Sequence, residues 1–212
     1  MRKILITLSL MLIAMSSNLF AQEITPGKEV DLGLPSGTIW AGWNVGASSP
    51  EEYGGYYAWG ETEEKSDYSK DTYKYYNPQT NYFTNIGANI SGTQYDVARQ
   101  KWGGSWRMPT NAEFVELENY CKWIWITYKG VKGCKVIGLN GRSIFLPAAG
   151  YYYGISLYGD GCRGDYWSAT INVSGNYDSA WYIFLKEGSY GICFRNSYYF
   201  ILYTGRSVRP VK

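Results

Sequence analysis

Few side chains of this chain could do chemistry, because its 212 residues include no histidine. Histidine is the commonest general base, so its absence removes the Ser-His-Asp triad, the Cys-His dyad and histidine-based zinc or iron sites. Paired carboxylates could still act as acid and base. However, the acidic residues cluster in the polar segments 51–55 (EEYGG) and 61–67 (ETEEKSD), which are typical of solvated loops. We therefore predict no enzyme activity, no catalytic or metal-binding residue and no cofactor.

The four cysteines are the other reactive side chains. Cys121 ends a predicted helix, Cys134 lies in a predicted strand, and Cys162 and Cys193 lie nearer the C-terminus. In an exported chain they could form disulfides in more than one pairing, and the sequence does not choose among the pairings. Their spacing matches no CxxC metal motif, so we interpret all four as structural or incidental.

Three Tyr-rich tracts near the C-terminus, residues 151–165, 170–179 and 188–204, have the composition of a binding surface. They consist largely of Tyr, Gly, Ser, Asn, Ile, Asp, Arg and Cys. In antibody-like contact loops, Tyr supplies large, stiff contact area, while Ser, Gly and Asn adapt their hydrogen bonds. We predict that these tracts recognise a protein or a glycan through Tyr151, Tyr152, Tyr153, Tyr158, Asp160, Tyr177, Asp178, Arg195, Asn196, Tyr198 and Tyr199.

The residue types that the Tyr-rich tracts lack suggest how the tracts could vary. None of the three contains Trp, Lys, Glu, Gln or Met. Retroelements that randomise adenines in Asn-type codons ending in a pyrimidine can produce Tyr, Ser, Asn, Asp, Gly and Arg, among others, but not those five types. The tracts also lie close to the C-terminus, where such a variable region would end. Diversification by a diversity-generating retroelement is therefore one hypothesis for this part of the chain.

The N-terminus indicates export. Arg2 and Lys3 precede an apolar run over residues 4–14, and Ala21 is a plausible cleavage point, so residues 1–21 are predicted to be a signal peptide. The apolar run is short for a membrane helix, and we expect no membrane span after cleavage. The protein is then periplasmic, held at the cell surface or extracellular. A net charge of +2 gives no basic footprint for nucleic acid.

The elements that must position the Tyr-rich tracts form one predicted domain, residues 30–212, after a short linker at 22–29. Helices are predicted at 95–102, with a Gly103-Gly104 stop, and from the capping box Thr110-Asn111-Ala112-Glu113 onward. The stretch 61–94 is predicted to be a long surface excursion. Strands are predicted at 30–47 as a pair that turns at Pro35-Ser36-Gly37, and at 136–139 and 143–146 as a hairpin with an Asn140-Gly141 turn. Further strands are predicted at 56–59, 123–127, 166–169, 180–185, 190–194 and 207–211. This order favours an α+β fold.

Two tryptophans and two arginines are predicted to support the fold rather than to contact a ligand. Trp167 and Trp181 stand in apolar strand patterns and are predicted to lie in the core. Arg107 and Arg209 are predicted to hydrogen-bond inside the domain.

Seven blocks occur in the order LPSGTIWAGWNVGA, YYAWGET, KWGGSWRMPTNAEF, FLPAAGY, YWSA, AWYIF and SVRPV. In this order they resemble the Fibrobacter succinogenes major paralogous domain family over nearly all of residues 30–211. That family is similar to the C-type lectin-like fold, which occurs also in formylglycine-generating enzymes and in retroelement variable proteins. The resemblance implies two helices packed on twisted antiparallel sheets, with long loops that form a binding face.

The resemblance does not carry a known chemistry to this chain. The Glu-Pro-Asn or Gln-Pro-Asp and Trp-Asn-Asp motifs of calcium-dependent lectins are absent. Formylglycine-generating enzymes use a close cysteine pair near the C-terminus, whereas Cys162 and Cys193 are far apart in sequence. A structural subunit of a cell-surface assembly is the main alternative to a binding module, and an enzyme related to the formylglycine-generating oxidases is a weaker one.

Overall fold

The computed structural model describes residues 23–172, 179–193 and 202–212 and has an α+β architecture. Within these ranges there are two helices, and all strand pairs within the sheets are antiparallel. The helices are α1 Val97–Trp102 and α2 Asn111–Tyr120. The strands are β1 Glu29–Asp31, β2 Ile39–Ala41, β3 Tyr76–Asn77, β4 Tyr82–Phe83, β5 Lys122–Tyr128, β6 Val131–Ile137, β7 Ser143–Pro147, β8 Tyr151–Tyr153, β9 Ser156–Tyr158, β10 Arg163–Ile171, β11 Ala180–Lys186 and β12 Ser189–Cys193.

Both helices begin with a side-chain cap, of which only that of α2 was predicted. At the start of α1, the buried Asp96 carboxylate accepts from the backbone N–H of Arg99 and also from those of Gly92 and Met108. The same carboxylate therefore also fixes the backbone before α1, at Gly92, and after it, at Met108. Gly103 ends α1 with a φ of 66°, which glycine adopts without strain.

The capping box of α2 is complete. The hydroxyl of Thr110 accepts from the Glu113 backbone N–H, and the Glu113 carboxylate accepts from the Thr110 backbone N–H. The same carboxylate holds the Arg107 guanidinium in two hydrogen bonds of 2.6 and 2.9 Å. Burial opposes the charge of Glu113, but the bonds from Arg107 and Thr110 outweigh it and lower the pKa of the carboxyl. Arg107 therefore packs inside the domain, as predicted.

Two three-stranded sheets carry most of the fold, in the orders β5-β6-β7 and β10-β11-β12. The predicted hairpin at Asn140-Gly141 is confirmed, because β6 pairs with β7 around this turn and Gly141 has a φ of 81°. The strand pair around Pro35-Ser36-Gly37 is also confirmed, as β1 with β2. In the other sheet β10 and β11 pair from Arg163 to Ile171, with a register shift between Trp167 and Ile171.

The sheets and helices enclose two groups of buried apolar side chains. One group surrounds Trp59 and Trp167, and the other surrounds Trp40 and Phe114. Trp167 is in the core, as predicted, whereas Trp181 is only partly buried. Truncating a fully buried tryptophan to alanine typically costs about 3–5 kcal/mol, so each of Trp40, Trp59 and Trp167 is a major support of the domain.

Arg209 hydrogen-bonds the C-terminal segment to two parts of the chain that are distant in sequence. Its guanidinium is completely buried and donates to the Asn44 side chain and to the carbonyls of Ala41 and Phe145, at 2.7 to 3.0 Å. Burial lowers the pKa of Arg209 to about 10. The charge is thus held by fixed dipoles, and Arg209 hydrogen-bonds inside the domain as predicted.

Several predicted elements have a different form. Segments 56–59 and 207–211 are not strands but make isolated pairings, such as those of Val211 with Trp40 and with Arg107. Their backbone groups bond to several different elements, so no continuous ladder forms. The excursion 61–94 includes the short strand pair β3-β4. Its Tyr68, Tyr73 and Ile90 are buried, so the segment contributes side chains to the core as well as to the surface.

The segment before β1 lies against β6 and β7. The ammonium of Lys135 donates to the carbonyl of Glu23 at 2.6 Å, and the Ser143 backbone N–H donates to the Thr25 hydroxyl at 2.8 Å. Ile24 between them is buried. In the described part of the chain no helix combines the length and the apolar character needed to cross a membrane.

Candidate functional site

The first Tyr-rich tract is not a loop: it begins with the β8-β9 hairpin. Tyr151 pairs with Tyr158, Tyr152 with Leu157 and Tyr153 with Ser156. The two-residue connection is Gly154-Ile155, and Gly154 has a φ of 57°. Glycine at the first turn position suits the turns that match strand twist, which explains why the chain reverses here. No strand was predicted for residues 151–158, because the turn signal stands between closely spaced tyrosines.

Strand alternation divides the three consecutive tyrosines between two faces. Tyr152 points inward, with its ring centroid 4.9 Å from that of Tyr56 and 5.4 Å from that of Tyr68. Burial raises the pKa of Tyr68 to about 12, and its hydroxyl donates to the Tyr56 carbonyl. Of the predicted contact residues, Tyr152 is therefore placed as a support of the hairpin.

Backbone bonds fix the hairpin further. Tyr152 exchanges two hydrogen bonds with Gly205, of 2.8 and 3.0 Å, and Gly154 exchanges two of the same lengths with Tyr68. A side chain at position 205 would collide with the Tyr68 ring, since an added Cβ would lie 2.7 Å from it. The hairpin is thus anchored along its length and at its tip, which limits the entropy that a contact through it would cost.

The opposite face presents what we call the hairpin surface, formed by Tyr151, Tyr153, Ile155 and Tyr158. The rings of Tyr151 and Tyr158 stack at 5.7 Å. The exposed fractions of Tyr153, Ile155 and Tyr158 are 43%, 79% and 47%. An isoleucine that is largely exposed at a rigid tip, between two half-exposed tyrosines, is the kind of apolar feature that marks a contact site.

A buried ionic cluster lies beneath the hairpin surface. The Asp165 carboxylate is fully buried and is bonded to Arg163 at 2.6 Å and to Arg206 at 3.5 Å. The Arg206 guanidinium lies 4.2 and 4.3 Å from the ring centroids of Trp167 and Tyr182. Burial lowers the pKa of Arg206, although Asp165 opposes the shift. The carboxylate and the two ring faces together offset the cost of burying this charge.

Arg163 connects this cluster to the hairpin surface. Burial disfavours its charge, but Asp165 outweighs that effect and raises the pKa of Arg163. Its guanidinium carbon lies 5.3 Å from the Tyr151 ring centroid. The outermost predicted contact residue of this tract, Asp160, is exposed in the turn between β9 and β10. That turn folds closely over Gly150, where an added Cβ would lie 2.3 Å from the Tyr158 carbonyl oxygen.

The structure brings together only part of the predicted binding residues. Tyr151, Tyr153, Tyr158 and Asp160 lie on or beside the hairpin surface, and Tyr152 lies beneath it. Six further predicted contacts lie outside the described residues: Tyr177, Asp178, Arg195, Asn196, Tyr198 and Tyr199. Ile155 was not among the predicted contact residues, although its place after a glycine, between Tyr153 and Tyr158, is a hairpin signal.

The reactive groups predicted to be structural or incidental are placed as follows. Cys121, Cys134 and Cys162, whose side chains the structure describes, are free thiols, and Cys162 is the exposed one. Burial raises the pKa of Cys134 to about 12. The side chain of Cys193 lies outside the described part. Within residues 23–172, 179–193 and 202–212, no three acidic or cysteine side chains are grouped as metal ligands.

Comparison of the chain with family models, with curated proteins and with solved structures finds no match. The resemblance to the Fibrobacter family therefore stays a prediction from the ordered sequence blocks. The candidate site is defined by its own geometry.

Proposed function

We propose that this protein is an exported, non-catalytic binding module that recognises a protein or a glycan through its Tyr-rich C-terminal tracts. The observation that carries the proposal is the hairpin surface. Its exposed tyrosines and isoleucine stand on a hairpin whose opposite face packs on Tyr56 and Tyr68. Side chains with few rotatable bonds on a fixed backbone lose little entropy on binding, so more of the contact energy is available for affinity.

The chemistry of the hairpin tip favours a protein over a glycan as its partner. Ile155 is 79% exposed and offers no hydrogen bond to a sugar hydroxyl. An exposed aliphatic side chain gains most when it enters an apolar pocket of another protein, at about 25 cal/mol per Å² of area removed from water. Flanking tyrosines would add apolar area and hydroxyl contacts around it.

We further propose that the domain has a C-type lectin-like fold and belongs to the Fibrobacter succinogenes major paralogous domain family. The two helices, the small antiparallel sheets and the order of the seven blocks support this assignment. Diversification of the tracts by a retroelement is part of the same proposal. Sequencing of the locus tests it, because a template repeat and an adjacent reverse transcriptase are expected, and their absence would refute diversification.

Binding of residues 22–212 to arrays of cell-surface proteins and of glycans tests the function. Ile155→Asp and Tyr153→Ala are expected to weaken binding about tenfold or more, because each removes an exposed anchor. Leu139→Asp and Tyr82→Ala are matched controls, since these side chains are 60% and 69% exposed outside the hairpin. Retention of full affinity by both hairpin variants would refute the proposed surface.

A further inference from the structure

A cleft lined mostly by polar and charged residue types lies apart from the hairpin surface, in the excursion before α1. Its volume is about 590 Å³, which is within the range of small-ligand pockets. We use the name polar cleft for the space lined by Gly60, Glu61, Thr62, Glu63, Glu64, Lys65, Thr72, Lys74, Tyr75, Gln94 and Tyr95. No residue of β8 or β9 is among these lining residues.

The walls of the polar cleft are fixed by bonds within the protein. One oxygen of Glu61 accepts from the Lys74 backbone N–H at 2.8 Å, and both of its oxygens contact the Lys65 ammonium at 2.9 and 3.1 Å. Lys65 also donates to the carbonyl of Thr72 at 3.2 Å. This ion pair joins the two sides of the cleft, so the cavity does not depend on a ligand to form.

Two tyrosines make an aromatic corner in the cleft. The rings of Tyr75 and Tyr95 meet edge to face, with centroids 5.6 Å apart and planes at 89°. The Tyr75 hydroxyl donates to the Gly60 carbonyl at 3.1 Å. An added Cβ at Gly60 would lie 2.3 Å from Ile86 and 3.3 Å from the Tyr75 ring, so glycine allows the close approach of backbone and ring.

The charges that line the cleft almost cancel. Glu61 is paired with Lys65, and Glu63 is paired at the rim with Lys101 at 2.6 Å. Glu64 and Lys74 then remain as one charge of each sign, and one oxygen of Glu64 accepts from the Tyr56 backbone N–H at 3.0 Å. A cleft with no dominant charge does not select a strongly charged ligand, because no opposite charge would offset the cost of desolvating that ligand.

We propose that the polar cleft binds a short, uncharged saccharide without calcium. Because Tyr75 and Tyr95 pack edge to face, one ring face at their contact is covered, and the C–H groups of a sugar ring are suited to the negative ring faces that remain. Its hydroxyl groups both donate and accept, and the carboxylate of Glu64, the ammonium of Lys74 and the polar side chains of Thr62 and Gln94 offer both functions. This site is additional to the proposed hairpin surface and does not rest on it.

Isothermal titration of residues 22–212 with neutral oligosaccharides, including cello-, manno-, malto- and chito-oligosaccharides, tests the proposal in buffer containing EDTA. Tyr95→Ala is expected to weaken binding about tenfold by removing one aromatic wall. Thr62→Trp is expected to abolish it by filling the cleft. Tyr82→Ala and Thr80→Trp are the matched controls, because both positions are exposed outside the cleft.

A separate saccharide site is supported if Ile155→Asp leaves saccharide affinity unchanged and Thr62→Trp abolishes it. This result does not depend on whether the hairpin surface binds a partner. Thermal unfolding of each variant shows whether a loss of binding reflects a loss of folding. The proposal is overturned if no neutral oligosaccharide binds at about 10 mM. It is equally overturned if binding is seen only when calcium replaces EDTA in the buffer, or if folded Tyr95→Ala and Thr62→Trp variants bind as the wild type does.

Discussion

Alanine substitution along β8 provides a test of how the hairpin surface is built. Tyr151, Tyr152 and Tyr153 are the same residue type at consecutive positions, but only Tyr152 packs on the rings of both Tyr56 and Tyr68. We expect Tyr152→Ala to lower the free energy of unfolding by about 3 kcal/mol. This is the lower end of the range for truncating a buried aromatic side chain, because Tyr152 is only partly buried.

The outward positions should cost less. Tyr151 contacts the Tyr158 ring and the guanidinium groups of Arg163 and Arg206, so its alanine substitution should cost about 1–2 kcal/mol. Tyr153 is 43% exposed and contacts only the Tyr203 ring among the described rings, so its substitution should cost about 1 kcal/mol. For a domain of this size, about 3 kcal/mol corresponds to a fall in Tm of roughly 6–12 °C. Urea unfolding followed by circular dichroism measures all three variants, and an unchanged m-value shows that stability alone has changed.

The binding assay gives the complementary readout. Tyr153→Ala should reduce partner binding and lower the free energy of unfolding by only about 1 kcal/mol. Tyr152→Ala should instead lower the free energy of unfolding by about 3 kcal/mol, and its effect on binding should follow from that loss. The reasoning is refuted if Tyr151→Ala or Tyr153→Ala destabilises the protein more than Tyr152→Ala does. That result would mean that β8 presents the other face to the core.

Three further predictions concern the supports of the domain. Glu113→Gln should destabilise the protein by about 2 kcal/mol at pH 7, because it weakens the bond to Arg107 and the helix cap. The folded protein lowers the pKa of Glu113, so the stability that its ionised carboxylate contributes is fully present above the unfolded pKa of about 4.5 and is lost as the pH falls below it. In urea titrations, the difference in free energy of unfolding between wild type and Glu113→Gln should shrink over the same pH range. Arg206→Met should cost about 3 kcal/mol in thermal unfolding, because the buried Asp165 loses its buried partner and keeps only the partly exposed Arg163. Cys134, which is 2% exposed, should react with iodoacetamide only when the protein unfolds, as peptide mass spectrometry can show.

The sequence predicts local structure well where one short motif determines it. The capping box at Thr110 and the Asn140-Gly141 turn each bring their own hydrogen-bond partners within a few residues, and both form as predicted. Segment 207–211 has strand-like residues, but its partners are Trp40 and Arg107, which are distant in sequence. Propensity cannot reveal such pairings because they depend on how the whole chain is packed.

The candidate site was predicted from composition, which does not show toward which side of a strand each side chain points. Composition indicated that Tyr151, Tyr152 and Tyr153 belong to one contact surface, but it could not show that the segment is a strand whose neighbours face opposite sides. Composition also did not indicate Ile155, because the residues typical of contact loops are tyrosines and small polar residues. The polar cleft could not be found from the sequence, since its walls come from residues 60–65, 72–75 and 94–95 and meet only in the folded chain.

The placement of the first Tyr-rich tract limits how freely it could be diversified. Asp165 is fully buried between two arginines, and Tyr152 supports the hairpin from below. Replacing either would cost stability comparable to a large part of the 5–15 kcal/mol that holds a typical domain together. Variation compatible with folding is therefore concentrated at Tyr153 and Tyr158, which are 43% and 47% exposed, because a change of side chain there alters the contact surface and leaves the core intact. If the retroelement hypothesis is correct, sequences of variant copies should differ most at these positions and keep an aromatic residue at 152 and aspartate at 165.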